Sequence, residues 1–319
     1  MLDVLLLVVA ALAFAVVSGA NDGATLISLS LPNVAFRPLL SVAILALAVA
    51  TVPLVVGARV AETLARGLVP FEGREGKALY LAAVVVALVV TLTLTRRGLS
   101  TSLMLALIGS IIGTGLGRNL GVDWGTVGHV IVIGLAAPIA SGVLGLLVSR
   151  ALAWLPRGWR NLRLVGGMSF LLQSAAYATN DGQKMIAIFA IALGLGPGGR
   201  VLVAPWSQAL LGLAFGLGTL LGIDRVARRL GLEILHVRTL HSVSSEAASA
   251  VAVFGGALLG APVSMTQSAT AAVIGAGVSQ TFWRVRWEQA ARIGAAWVLT
   301  LPTAVLVGAV LARALMFVP

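Results

Sequence analysis

The sequence predicts an all-α polytopic membrane protein built as two inverted-topology repeats, with discontinuous or re-entrant helices around a midplane site. Three observations predict it. The 319-residue chain is 59% hydrophobic and only 10% charged, with a mean hydropathy of +1.03, which excludes an ordinary soluble domain. Its apolar runs are continuous and suit spanning helices of about 20 residues, whereas barrel strands would alternate over shorter segments. Finally, an Asn-Asp-Gly tripeptide occurs twice inside apolar surroundings, at 21–23 and at 180–182, with the copies 159 residues apart. Carboxylates are costly in hydrocarbon and survive there mainly beside a cavity, an ion or a partner. A duplicated one points to two halves meeting around a shared site.

Taken in order, the first apolar run, 2–18, carries Asp3 and no basic flank, and reads as a membrane helix rather than a cleaved leader. Further spans are predicted at 38–57, 78–95, 126–149, 164–178, 202–222, 244–260 and 290–315. Between them lie pieces too short or too polar to span: 24–31, 102–117, 185–195 and 266–281. Such segments are tolerated at membrane depth only where they are buried in protein or line a cavity. Eight to twelve membrane helices are expected. Residues 1–150 read as the first repeat, 151–163 as a basic connecting loop and 164–319 as the second repeat.

The net charge of +11 gathers at Arg150, Arg157, Arg160 and Arg163, at Arg225, Arg228, Arg229 and Arg238, and at Arg284, Arg286 and Arg292. Short arginine-rich connections are the positive-inside pattern of a multi-pass protein, not a nucleic-acid surface. The lipid bilayer is therefore the expected partner, and a bacterial or archaeal inner (cell) membrane the expected location. With no cysteine, thiol catalysis and thiolate metal sites are excluded.

The duplication extends past the tripeptide. Ser100-Thr101-Ser102 follows Asp22 by 78 residues and precedes the Gly-punctuated run 108–113; Ser264-Met265-Thr266 follows Asp181 by 83 and precedes 273–277. Two motifs in the same order at similar spacing make an internal repeat. Hydroxyls at the start of a short helix lie beside unpaired backbone N–H groups and the positive end of the helix dipole, which suits an oxyanion. The plainer role for the same serines is N-capping. Asn21, Asp22, Asn180 and Asp181 offer hard oxygens for Na⁺, or a protonatable site for H⁺; their plainer role is to form turns and caps. Lys184 is one of only two lysines among 22 basic residues. With Gln183 it could neutralise Asp181 or meet an anion, or it could snorkel to the interface. Glu246, in Ser244-Ser245-Glu246, is a further candidate ion ligand.

Together these residues resemble the inorganic phosphate transporter (PiT) family, bacterial branch. Gly19-Ala20-Asn21-Asp22 reproduces that family's repeated signature, and Asn180-Asp181-Gly182-Gln183-Lys184 is similar to its second copy. Leu99-Ser100-Thr101-Ser102 and Pro262-Val263-Ser264-Met265-Thr266 echo its hydroxyl motif. The resemblance departs at Tyr177-Ala178, where His-Gly is usual, and at Leu103 and Gln267, where His is frequent. It implies a secondary active transporter, not an enzyme, that takes up inorganic phosphate with Na⁺ or H⁺ by alternating access. It implies no cofactor beyond the coupling ion, and it is compatible with a homo-oligomer. Substrate would meet Ser100, Thr101, Ser102, Ser264, Thr266, Asn21, Asn180, Gln183 and Lys184. The coupling ion would meet Asp22, Asp181, Asn21, Asn180 and Glu246. A sulfate permease of the same family is the alternative, and an intramembrane aspartyl protease with an Asp22–Asp181 dyad the remote one. Carboxylates touching each other would favour the dyad; carboxylates converging on a separate ion or oxyanion would favour transport.

Overall fold

The computed structural model describes residues 2–32, 35–97, 101–155, 161–194, 201, 203–233 and 237–317, and among them every regular element is helical. In the first repeat, α1 (Leu2–Ser18) passes through a π-helical turn, Gly19–Gly23, into α2 (Ala24–Ser30); α3 (Pro38–Val56), the short α4 (Arg59–Glu62) with its own π turn, α5 (Gly73–Arg96), α6 (Leu103–Gly117) and α7 (Trp124–Trp154) follow. The second repeat comprises α8 (Leu162–Thr179), α9 (Gln183–Leu193), α10 (Pro205–Glu233), α11 (Thr239–Leu258), α12 (Met265–Val278) and α13 (Trp287–Ala314).

Among the described residues six stretches are long and apolar enough to cross a membrane: Leu2–Ser30, Pro38–Val56, Gly73–Arg96, Trp124–Trp154, Pro205–Ile223 and Trp287–Ala314. Two predicted spans, α8 and α11, are long but less apolar. They pack against each other and bury Ser169, Gln173, Glu246 and Ser249 on the shared face, which lowers their mean hydropathy, while Leu164, Met168, Leu171 and Leu172 of α8 stay exposed. Elsewhere the outer surface is apolar: Val132, Leu135, Ile139 and Val143 stand exposed along α7. Exposed Trp124 and Trp154 bracket that helix, as interfacial indoles do.

The halves correspond as α1–α2 with α8–α9, α3 with α10, α5 with α11, α6 with α12 and α7 with α13. Their packing is exchanged between repeats. Helix α6 lies mainly on α13 and α12 on α7, while α1 lies on α10 and α8 on α3. This reciprocal exchange belongs to two inverted-topology repeats wrapped around each other.

Small residues make the exchange work, because backbones in a membrane bundle gain stability by close approach. A methyl added to Gly113 would overlap the Val305 carbonyl of α13, and one on Gly275 the Gly142 carbonyl of α7. A methyl on Gly19 would overlap the Phe215 carbonyl of α10, and one on Gly218 the Val16 carbonyl of α1.

Three sequence expectations change. Segment 24–31 is not a separate half-helix but continues α1, the π turn absorbing the Asn-Asp-Gly without a break. Arg225, Arg228 and Arg229 lie on the helical end of α10 rather than in a loop. The connecting loop is shorter than 151–163, since α7 runs to Trp154 and α8 starts at Leu162.

Candidate functional site

Asp22 reaches the interior because of the local backbone. A π turn inserts one extra residue into the helix and re-aims the side chains it carries. Within it, Asp22 Oδ1 accepts a hydrogen bond from Asn21 Nδ2 at 2.8 Å, and Thr25 Oγ1 donates to the Asn21 carbonyl at 2.6 Å.

The second copy behaves differently. Helix α8 stops at Thr179, residues 180–182 turn, and α9 begins at Gln183. Opening a helix inside the membrane exposes backbone groups that must find partners. The amide side chains supply or secure them. Asn180 Oδ1 accepts from Val263 N at 2.9 Å, while its Nδ2 donates to Ala261 O at 3.0 Å. Gln183 Oε1 accepts from Ala61 N at 3.0 Å, and its Nε2 donates to Thr179 O at 2.7 Å and Gly57 O at 3.0 Å. Asn180 thus ties the break to the loop before α12, and Gln183 ties it to α4.

Lys184 joins the two copies. Its Nζ donates to Asp181 Oδ1 at 2.7 Å and to Asp22 Oδ2 at 3.0 Å. Tyr177 Oη donates to the same Asp22 oxygen at 3.4 Å, its ring packed on Phe215 with centroids 5.2 Å apart. Asp22, Asp181 and Lys184 are each at most 1% exposed, so Lys184 does not snorkel. Two carboxylates and one ammonium leave this cluster at formal charge −1. The Lys184 ammonium bridges the two carboxylates, one from each copy of the motif.

The hydroxyl clusters cap their helices, as the plainer reading of the sequence has it, and the two are placed unequally. Ser264 accepts from Gln267 N at 3.5 Å, at the N-terminus of α12, and lies 3.0 Å from Thr266 Oγ1. The next backbone amide, Met265 N, donates to Asp181 Oδ2 at 2.8 Å, so this helix start abuts the carboxylate pair. Ser102 accepts from Leu105 N at 3.3 Å at the start of α6, and Thr101 Oγ1 lies 3.3 Å from Thr95 Oγ1. Among the described residues no hydrogen bond ties Thr101 or Ser102 to the carboxylates; Ser100 lies outside those residues. Glu246 also stands apart from the pair. Ser169 Oγ donates to its Oε2 at 2.5 Å, and Ser242 Oγ lies 3.3 Å from its Oε1. Ser169 is about 16 Å of helix from Asn180 at 1.5 Å per residue.

Sequence reasoning passed over Tyr177 as a site residue, along with the backbone amides of Val263 and Met265. The signal for Tyr177 was its spacing: four residues before Asp181, as Lys184 is three after, which puts all three near one helix face.

The sequence profile of the phosphate transporter family matches residues 18–165 and again residues 159–308. The chain belongs to the phosphate transporter family. That family is one of transporters, not of enzymes, and the two matches, one per half, coincide with the two repeats. Membership and the apolar helices together make this a multi-pass membrane protein of the cell membrane. The chain is 29% identical over 318 residues to a Bacillus subtilis protein named "Probable low-affinity inorganic phosphate transporter", covering 96% of this chain and 95% of that one. A Rhizobium meliloti protein of the same name is 34% identical over 149 residues, 46% of this chain and 45% of that one. Among solved structures, one titled "The sodium-dependent phosphate transporter" superposes with a TM-score of 0.83 over the whole of both chains at 17% identity, a likeness of fold.

Proposed function

We propose that this protein takes up inorganic phosphate by symport with Na⁺ or H⁺, through alternating access. The single observation that carries the reading is the buried cluster in which Lys184 bridges a carboxylate from each repeat, one hydrogen bond from the start of α12. A cluster of charge −1 repels an oxyanion; a further cation bound there removes the repulsion, which couples the two cargoes. Ser264, Thr266 and the N-terminus of α12 supply the donors an oxyanion needs. Protonated phosphate can also donate to a carboxylate, whereas sulfate at neutral pH cannot. Relatives named as inorganic phosphate transporters, and a solved neighbour titled sodium-dependent, support phosphate as substrate and Na⁺ as coupling ion. The two-repeat architecture, with one carboxylate of the bridge carried by each repeat, supports alternating access.

The test is uptake of labelled phosphate into proteoliposomes under an imposed Na⁺ or H⁺ gradient. Gradient-dependent uptake that is lost when Asp22→Asn and Asp181→Asn are combined is the expected result. Sulfate outcompeting phosphate, or uptake indifferent to both gradients, would overturn it.

A further inference from the structure

The ammonium of Lys184 sits between two carboxylate oxygens, Asp181 Oδ1 at 2.7 Å and Asp22 Oδ2 at 3.0 Å, and Tyr177 Oη donates to that same Asp22 oxygen at 3.4 Å. Carboxylate and hydroxyl oxygens are also the donor set of a hard cation. The two carboxylates come one from each repeat and are fully enclosed, with Tyr177 buried beside them, so this is a built position and not a surface coincidence. A Lys side chain is a compact point charge on a flexible stem, able to leave such a position without any covalent change. Among the described residues no other lysine or arginine is paired to either carboxylate.

We propose that Lys184 is a tethered counter-ion that occupies a Na⁺ position between Asp22 and Asp181, and thereby sets how strongly this protein binds Na⁺. A free cation enters only when the ammonium swings aside from this position, and with the ammonium kept beside it the two cations together neutralise the pair. Removal of the ammonium lowers the formal charge of the cage from −1 to −2 and opens the position; removal of the Asp22 carboxylate brings it to zero and closes it. Lys184 is then a specificity-determining residue for the coupling ion. This inference rests on the proposed site, but not on the identity of the anion carried.

The experiment follows thermal unfolding of the purified full-length protein in detergent, titrated with NaCl against choline chloride at constant ionic strength and without phosphate. Na⁺-specific stabilisation should fall in the order Lys184→Met, wild type, Asp22→Asn. Half-saturation for Lys184→Met is expected at a Na⁺ concentration at least tenfold below that of wild type. Lys184→Arg should behave as wild type. If Lys184→Met unfolds without salt, its recovery by Na⁺ but not by choline reads the same property. The milder Lys184→Gln serves where neither salt recovers it. Equal Na⁺ response in Lys184→Gln, Lys184→Met and wild type overturns the proposal. Phosphate uptake by wild type is measured alongside: absent uptake defeats the transport reading, while uptake with an unchanged Na⁺ response defeats only the role of Lys184.

Discussion

The two Asn-Asp-Gly copies share three residues and differ in almost everything those residues do. The first keeps its helix running through a π turn and satisfies its asparagine locally, Asn21 bonding to its neighbour Asp22. The second breaks its helix and spends Asn180 and Gln183 on segments far away in the chain, Ala261–Val263 and Gly57–Ala61. The packing around each explains the difference. Gly19 and Gly23 are pressed against Phe215 and Thr219 of α10, which leaves no space for an opened backbone. Around 180–182 the neighbouring chain offers free amides and carbonyls instead. One motif thus delivers a carboxylate from a rigid helix, and the other from a braced hinge, to the same ammonium.

The contrast can be broken by substitution. Gly19→Leu should have the largest effect, because the side chain must displace the α10 backbone; overpacking costs about 1–3 kcal/mol even where neighbours can shift, and more here. Loss of folded protein on size-exclusion chromatography is the expected outcome, and an intact, active Gly19→Leu would show that the first copy is not held by α10. Next comes the asparagine pair. Asn180→Ala leaves Val263 N and Ala261 O unpaired in the interior, at about 1–3 kcal/mol for each stranded group, whereas Asn21→Ala loses one local bond worth about 1 kcal/mol. Thermal unfolding that ranked Asn21→Ala as the more damaging would reverse the comparison. Gln183→Ala should loosen the join between α9 and α4, costing about 1–3 kcal/mol and raising amide exchange at Ala61 more than at Val263.

A third carboxylate, placed in water, calibrates the two buried ones. Asp123 caps α7, accepting from Thr126 N at 3.1 Å, from Thr126 Oγ1 at 3.0 Å and from Gly125 N at 2.9 Å, and these bonds hold its carboxyl below the usual carboxylate range. Its folded value lies below its unfolded one, so the cap's contribution is present above the unfolded value and is lost as pH falls through the folded one. Asp123→Asn should erase that acid-side loss from amide exchange in the first turn of α7, the smallest effect of the series. An unchanged profile would remove Asp123 as its source.

Much of this architecture was legible in the sequence, because hydropathy and an in-order duplication depend on local composition. Ser102 and Ser264 could be placed at helix starts for the same reason. The bracing roles of Asn180 and Gln183 could not be read, since apart from Thr179 the partners named above lie 81 to 126 residues away and only the fold brings them close. Nor could the π turn, because whether Asn-Asp-Gly bends or breaks a helix depends on what presses on it from α10. The bridge through Lys184 was half legible: its spacing from Asp181 put them on one face, but Asp22 arrives from the other repeat.

The central claim is that Asp22 and Lys184 act as one unit across the repeat boundary, and a double-mutant cycle on phosphate uptake tests it most directly. Uptake rates into proteoliposomes would be compared for wild type, Asp22→Asn, Lys184→Met and the double variant. Coupled groups predict a double variant no slower than Lys184→Met alone, at least about tenfold above the product of the single effects, or about 1.4 kcal/mol of coupling. Single effects that simply multiply would show that the two residues serve transport independently, and would contradict the account.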